Sequence, residues 1–103
     1  MSGYALHPGA FRDLDEIRDY LAQQSPDAAD RVMSEIFDTF RRLVPFPHQG
    51  HTRPDLTSRP LRFVVAREYL IAYAPEEKPL WIVAVIHGRR NPRIMAAILR
   101  DRE

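Results

Sequence analysis

Seven arginines and one histidine offer most of the recognition chemistry in this sequence. Arg53, Arg59, Arg62 and Arg67 surround one strand-like run, and Arg89, Arg90 and Arg93 follow His87-Gly88 at the end of another. A guanidinium is planar, permanently charged and rich in donors, so it suits phosphate or carboxylate better than an ammonium does. Such a set could neutralise RNA phosphates or dock on an acidic protein surface. Taken singly, each arginine fits a solvated sheet face or a helix terminus better. His87 could act as a general acid or base, or it could simply end a strand where Gly88 permits a tight turn. His48-Gln49-Gly50-His51 with Asp55 offers nitrogen and oxygen ligands. Without cysteine or a helical His-x-x-x-His frame, this segment reads as loop, and neither a metal nor a cofactor is expected. Phosphate-binding glycine motifs and the Gly-x-Ser-x-Gly nucleophile turn are missing from the sequence. Asp13, Asp15, Glu16 and Asp19 read as a solvated helix face. Phe37, Phe40, Tyr69, Tyr73 and Trp81 sit at core spacing rather than interleaved with cations as a base-stacking platform would be.

These side chains must be positioned by one small domain, expected over residues 1–103. A chain of 103 residues and 12.0 kDa buries about 65% of its extended surface, enough for one core. The lack of cysteine excludes disulfide scaffolds and thiol catalysis, and fits a reducing cytoplasm. No apolar run approaches the roughly 20 residues of a membrane span, and Met1-Ser2-Gly3-Tyr4 lacks the pattern of a secretory signal. A soluble cytoplasmic protein is expected. The net charge of +1 conceals a division: residues 1–40 hold three cations against eight anions (−5), and residues 41–103 hold twelve against six (+6). All the cations except Lys78 are arginines, a bias that hints at an anionic partner and that GC-rich coding would also produce.

Tyr4–His7 reads as a brief strand closed by a Pro8-Gly9 turn. Ala10, Leu14, Ile17 and Leu21 form one apolar stripe over 10–24, which predicts an amphipathic helix. Ser25-Pro26-Asp27 supplies a cap, a first-turn proline and an acid, and so starts a second helix. That helix carries Ala29, Val32, Met33, Ile36, Phe37, Phe40, Leu43 and Val44 on one broad arc and ends before Pro45 and Pro47. On its other side Asp27/Arg31, Arg31/Glu35 and Asp38/Arg42 are spaced to pair. The short link makes the two helices an antiparallel hairpin. Residues 46–60 form a long ordered or semi-ordered loop. Three strand-like runs follow at Leu61–Val65, Tyr69–Ala74 and Leu80–His87, joined closely enough for an antiparallel meander. Trp81–Ile86 is apolar on both faces, so this strand belongs inside the sheet, with the first strand able to flank it. Asn91-Pro92 opens a short terminal helix bearing Ile94, Met95, Ile98 and Leu99. The expected fold is therefore α+β: strand, helical hairpin, three-stranded meander, short helix.

Within that order five strings resemble the ParE branch of the RelE/ParE toxin superfamily. They are Leu6-His7-Pro8-Gly9-Ala10-Phe11-Arg12-Asp13-Leu14-Asp15-Glu16-Ile17, Ser25-Pro26-Asp27-Ala28-Ala29-Asp30-Arg31, Leu61-Arg62-Phe63, Tyr69-Leu70-Ile71-Ala72-Tyr73, and Val85-Ile86-His87-Gly88-Arg89-Arg90-Asn91. The resemblance spans Tyr4 to about Leu99. It implies the toxin of a type II toxin–antitoxin module, held inactive by a cognate ParD-like antitoxin, with higher-order toxin–antitoxin assembly open to it. A disordered antitoxin tail could fold as a helix beside the hairpin and extend along a free sheet edge, which places Leu14, Ile17, Leu21, Val32 and Ile36 near that interface or in the core.

Two toxic activities compete. A RelE-like ribosome-dependent mRNA endoribonuclease would use Arg62 and Arg89, with His87 for proton transfer. Against this, no tyrosine follows Tyr73, and the lysine pair expected before the meander is missing. A ParE-like protein instead inhibits DNA gyrase without being an enzyme, and its determinants are expected at Arg89, Arg90, Asn91, Arg93, Ile94 and Ile98. The missing nuclease residues favour the gyrase reading. A non-toxic relative that still binds its antitoxin is the third.

Overall fold

The computed structural model describes residues 3–102; the readings that involve Met1, Ser2 and Glu103 lie outside the described residues. The elements are β1 (Tyr4–Leu6), α1 (Pro8–Gln24), α2 (Pro26–Leu43), β2 (Arg62–Ala66), β3 (Tyr69–Ala74), β4 (Leu80–His87) and α3 (Pro92–Arg100). The expected α+β architecture is present. Its sheet has the order β1-β4-β3-β2, with β1 parallel to β4 and the other pairs antiparallel. The two-sided hydrophobicity of β4 follows from its inner position. One face packs Ile71, Tyr73, Ile82 and Val85 under the helical hairpin, against Leu14, Ile36 and Phe40. The other packs Leu70, Ala72, Val83, Ala84 and Ile86 under Leu56 and Leu61 of the loop and Met95 and Leu99 of α3.

The hairpin starts differently from the expected Pro8-Gly9 turn. Pro8 occupies the first helical position, where its missing N–H costs nothing, and His7 is the cap, its Nδ1 accepting the Gly9 N–H at 2.9 Å. Burial, together with the Arg102, Arg12 and Arg59 guanidiniums, pushes the His7 imidazole below its usual 6.5 despite the opposing Asp13. The folded state thus prefers neutral His7. Its contribution to stability is complete above pH 6.5 and is lost as pH falls through the lower folded-state value. His7→Asn keeps a capping acceptor that does not titrate. In urea melts, the parent is expected to lose stability relative to this variant on acidification below neutrality. A difference independent of pH would refute the assignment.

None of the three expected helical charge pairs, Asp27/Arg31 included, forms among the described residues. Asp38 pairs with Arg41 rather than Arg42, and Glu35 reaches across to Arg67 instead of pairing with Arg31. The latter pair is bidentate, and its geometry explains the choice: Arg67 sits in the β2–β3 turn with φ +54, facing α2. Glu35 is held below the usual carboxylate range by this hydrogen-bonded guanidinium, and Arg67 is raised in return. Ser25 caps α2 as expected, accepting from the Ala28 N–H.

The long loop is ordered by a buried phenol. Tyr73 is fully enclosed; its hydroxyl donates to the Pro47 carbonyl at 2.7 Å and accepts the Gly50 N–H at 3.0 Å. Burial raises the Tyr73 pKa, so the phenol stays protonated and can donate. Tyr73→Phe leaves the buried Gly50 N–H and the part-buried Pro47 carbonyl without this partner and should cost about 1–3 kcal/mol in denaturant unfolding. Gly50→Ala attacks the same lock, since an added Cβ would lie 2.6 Å from that hydroxyl and 2.8 Å from the Phe63 carbonyl oxygen. Unchanged stability in both would mean that the loop is held elsewhere.

Candidate functional site

β1 pairs with only the first three residues of β4, ending at Leu6 opposite Ile82. A bulge follows: Ala72 faces Ala84 while Tyr73 faces Ile82, leaving Val83 as the extra residue. The uncovered edge of β4 is completed by side chains. Asp13 accepts the Val85 N–H at 2.9 Å, and Arg102 donates to the Val83 carbonyl at 3.2 Å while forming a two-pronged pair with Asp13. Both side chains are largely buried, at 16% and 13% exposure. Asp13 is therefore not part of the solvated acidic face assigned to it, whereas Asp15, Glu16 and Asp19 are exposed. Gly9 leaves the room; a Cβ there would collide with the Arg102 guanidinium.

Beyond that pair lies a cleft of about 560 Å³ between α1, the end of β4 and α3. Ile17, Leu21, Val85 and Ile98 contribute its apolar surface, Tyr20 stands at its edge, and Glu16 and Glu68 make part of its wall acidic. Of the five residues expected at an antitoxin interface, Ile17 and Leu21 line this cleft, while Leu14, Val32 and Ile36 are buried in the intramolecular core. Tyr20 escaped the sequence reading although it is 61% exposed. The available signal was an aromatic on the charged side of α1.

A second cleft of about 390 Å³ opens at the same end of the sheet, bordered by the β2–β3 turn, the end of β4 and the start of α3. It gathers Arg53, Arg67, Arg89 and Arg90. Arg53 is held by Asp55 in a two-pronged pair, with Nη2 at 2.8 Å, and Arg67 is held by Glu35. Arg89, Arg90 and the adjacent Arg93 have no side-chain hydrogen bond or ion pair among the described residues. Asn91 caps α3, accepting the Arg93 N–H at 2.8 Å, and Ile94 is 46% exposed. The remaining basic residues are elsewhere. Arg59 donates to the Leu99 carbonyl, and Arg62 holds the carbonyls of His48 and Gly50.

The β3 ladder separates the three nuclease candidates. Arg62 is opposite Tyr73, whereas His87 is opposite Tyr69; four residues of strand, roughly 13 Å, lie between those positions. His87 stands between the two clefts with Tyr69 edge-on at 5.4 Å. Its Nδ1 accepts the Arg89 N–H at 3.1 Å, and Nε2 faces Glu68 at 3.6 Å. This arrangement assigns the proton of neutral His87 to Nε2. Burial and the Glu68 charge raise the Tyr69 pKa, so that ring is a neutral phenol.

The family model described as "ParE toxin of type II toxin-antitoxin system, parDE" matches residues 4–92. "Toxin ParE2" of Mycobacterium tuberculosis is 29% identical over 106 residues in both the CDC 1551/Oshkosh and H37Rv strains, covering 94% of this chain and 91% of the relative. The match extends from β1 through the whole sheet to the first residue of α3, and so takes in the lining of both clefts except Met95 and Ile98. This chain belongs to the ParE toxin family of type II toxin–antitoxin systems.

Proposed function

We propose that this single-domain protein is a cytoplasmic toxin that inhibits DNA gyrase by binding it, and that a ParD-like antitoxin neutralises it. The observation that carries the gyrase reading is the scattering of the nuclease candidates: Arg62 is engaged in loop carbonyls at one end of the sheet, and His87 and Arg89 are at the other. Neutral His87 also has no free acceptor nitrogen, because Nδ1 already receives the Arg89 N–H. A general base aimed at a ribose hydroxyl would need that lone pair. Arg89, Arg90, Asn91, Arg93 and Ile94 instead form an exposed patch suited to binding. Ile98 borders the adjacent cleft. The antitoxin tail occupies that apolar cleft as an amphipathic helix, with Ile17 and Leu21 meeting its hydrophobic stripe and Glu16 and Glu68 favouring cations beside it.

The test is induction of the toxin without antitoxin, with gyrase supercoiling assayed in vitro and mRNA 5′ ends mapped in cells. Gyrase inhibition with intact mRNA is the expected result. Codon-associated cleavage with unimpaired gyrase would replace this reading with the ribosome-dependent nuclease. A folded, antitoxin-binding protein that arrests nothing would identify a non-toxic relative.

A further inference from the structure

We propose that the arginine cleft at the β4–α3 junction binds the phosphate backbone of duplex DNA. This inference deepens the gyrase reading and rests on it for its biological setting, because the DNA would be the segment that gyrase holds.

What distinguishes this surface is the clustering of unpaired charge of one sign. Arg89, Arg90 and Arg93 lie within five residues, their side chains have no ion pair among the described residues, and the first turn of α3 contains no acid. Five arginines, Arg18, Arg41, Arg53, Arg67 and Arg102, pair with carboxylates among the described residues, and two of them adjoin this patch, where Asp55 and Glu35 fix the guanidiniums of Arg53 and Arg67. Part of the cleft wall is thus pre-positioned, Arg89 and Arg90 are its unpaired cations, and the acid that also lines it, Glu68, faces His87 at 3.6 Å. Mutual repulsion among three guanidiniums opposes folding, and an anionic ligand relieves it.

The lining selects among anions. Readers of single-stranded nucleic acid present exposed aromatic rings on which bases stack. Of the two rings in this cleft, the Tyr69 phenol is 7% exposed and the His87 imidazole is set edge-on to it and tied to the Arg89 N–H, so no Phe, Tyr or Trp platform is offered. Without an exposed Phe, Tyr or Trp ring the cleft offers its ligand mainly positive charge, which suits the repeated phosphates of a duplex backbone.

The test measures binding of a fluorescent 30-base-pair duplex and a 30-nucleotide RNA of mixed sequence by the full chain over a salt series. Gyrase cleavage-complex trapping is measured in parallel. Three phosphate contacts predict a log–log salt slope of about −2.7 for the duplex, and Arg89→Ala/Arg90→Ala should reduce it to about −0.9. Arg31→Ala on the helical hairpin should leave the slope unchanged, and circular dichroism checks that each variant is folded. Duplex binding insensitive to the double substitution would overturn the proposal, as would tighter binding of the RNA. Trapped gyrase without duplex binding would overturn it while sparing the gyrase reading. Arg89/Arg90-dependent duplex binding without any effect on gyrase would support it and remove the gyrase reading.

Discussion

Asp13→Ala is expected to cost the fold about 3 kcal/mol, because it leaves a mostly buried guanidinium without its counter-charge. For a chain of this size that corresponds to a fall in Tm of more than about 10 °C. The size of the effect comes from what the pair replaces. β1 is too short to cover β4, so the Val85 N–H and the Val83 carbonyl would face an unfilled edge. Asp13 and Arg102 act there as a substitute strand while neutralising each other. Removing the carboxylate therefore orphans two donors together, the Val85 amide and the guanidinium. Asp13→Asn keeps an acceptor for the amide but lacks the charge, and should fall between the parent and Asp13→Ala. In a double-mutant cycle with Arg102→Leu, the combined loss should be clearly smaller than the sum of the single losses. An Asp13→Ala protein that melts with the parent would mean that the edge is satisfied by solvent and that the pair is dispensable.

How much of this could be read from the residues depended on the range of the interaction. β3 and β4 have the predicted limits because turns and β-branched runs are local signals. Ser25 and Asn91 cap the helices assigned to them, since capping is decided within three residues. His7-Pro8-Gly9 was ambiguous for the same reason: a proline and a glycine serve a turn or a helix start equally well, and an imidazole is an uncommon cap. Asp13 and Arg102 are 89 positions apart, and nothing in either neighbourhood distinguishes a buried ion pair from a solvated face and a charged tail. The bulge at Val83 that creates their task is likewise invisible in an unbroken apolar run. The arginines divide in the same way. Their abundance is plain in the sequence, but only the ladder places Arg62 at one end of the sheet and Arg53, Arg67, Arg89 and Arg90 together at the other.

The same division governs the antitoxin-facing residues and yields the second large effect. Tyr20→Ala with Leu21→Asp should lower antitoxin affinity on the order of 100-fold or more, the scale of losing a central aromatic and apolar anchor. Tyr20 is well exposed, so its truncation alone should leave Tm near the parent value. Leu21 is half-buried against the edge of the core, so its substitution carries a stability loss, and the Tyr20→Ala single variant reads the affinity change without that loss. Ile36 should behave oppositely. It is fully buried beneath the hairpin, so Ile36→Ala removes about 3–4 kcal/mol of stability and weakens antitoxin binding only as far as it depletes the folded state. Leu14 and Val32 should follow Ile36, and Ile17 should follow Leu21, because the helical stripe read from the sequence is split by the fold into a buried part and a part that lines the cleft. Isothermal titration with the antitoxin beside thermal melts separates the two classes. Parent-like affinity in the Tyr20→Ala/Leu21→Asp variant would move the antitoxin to another face of the molecule.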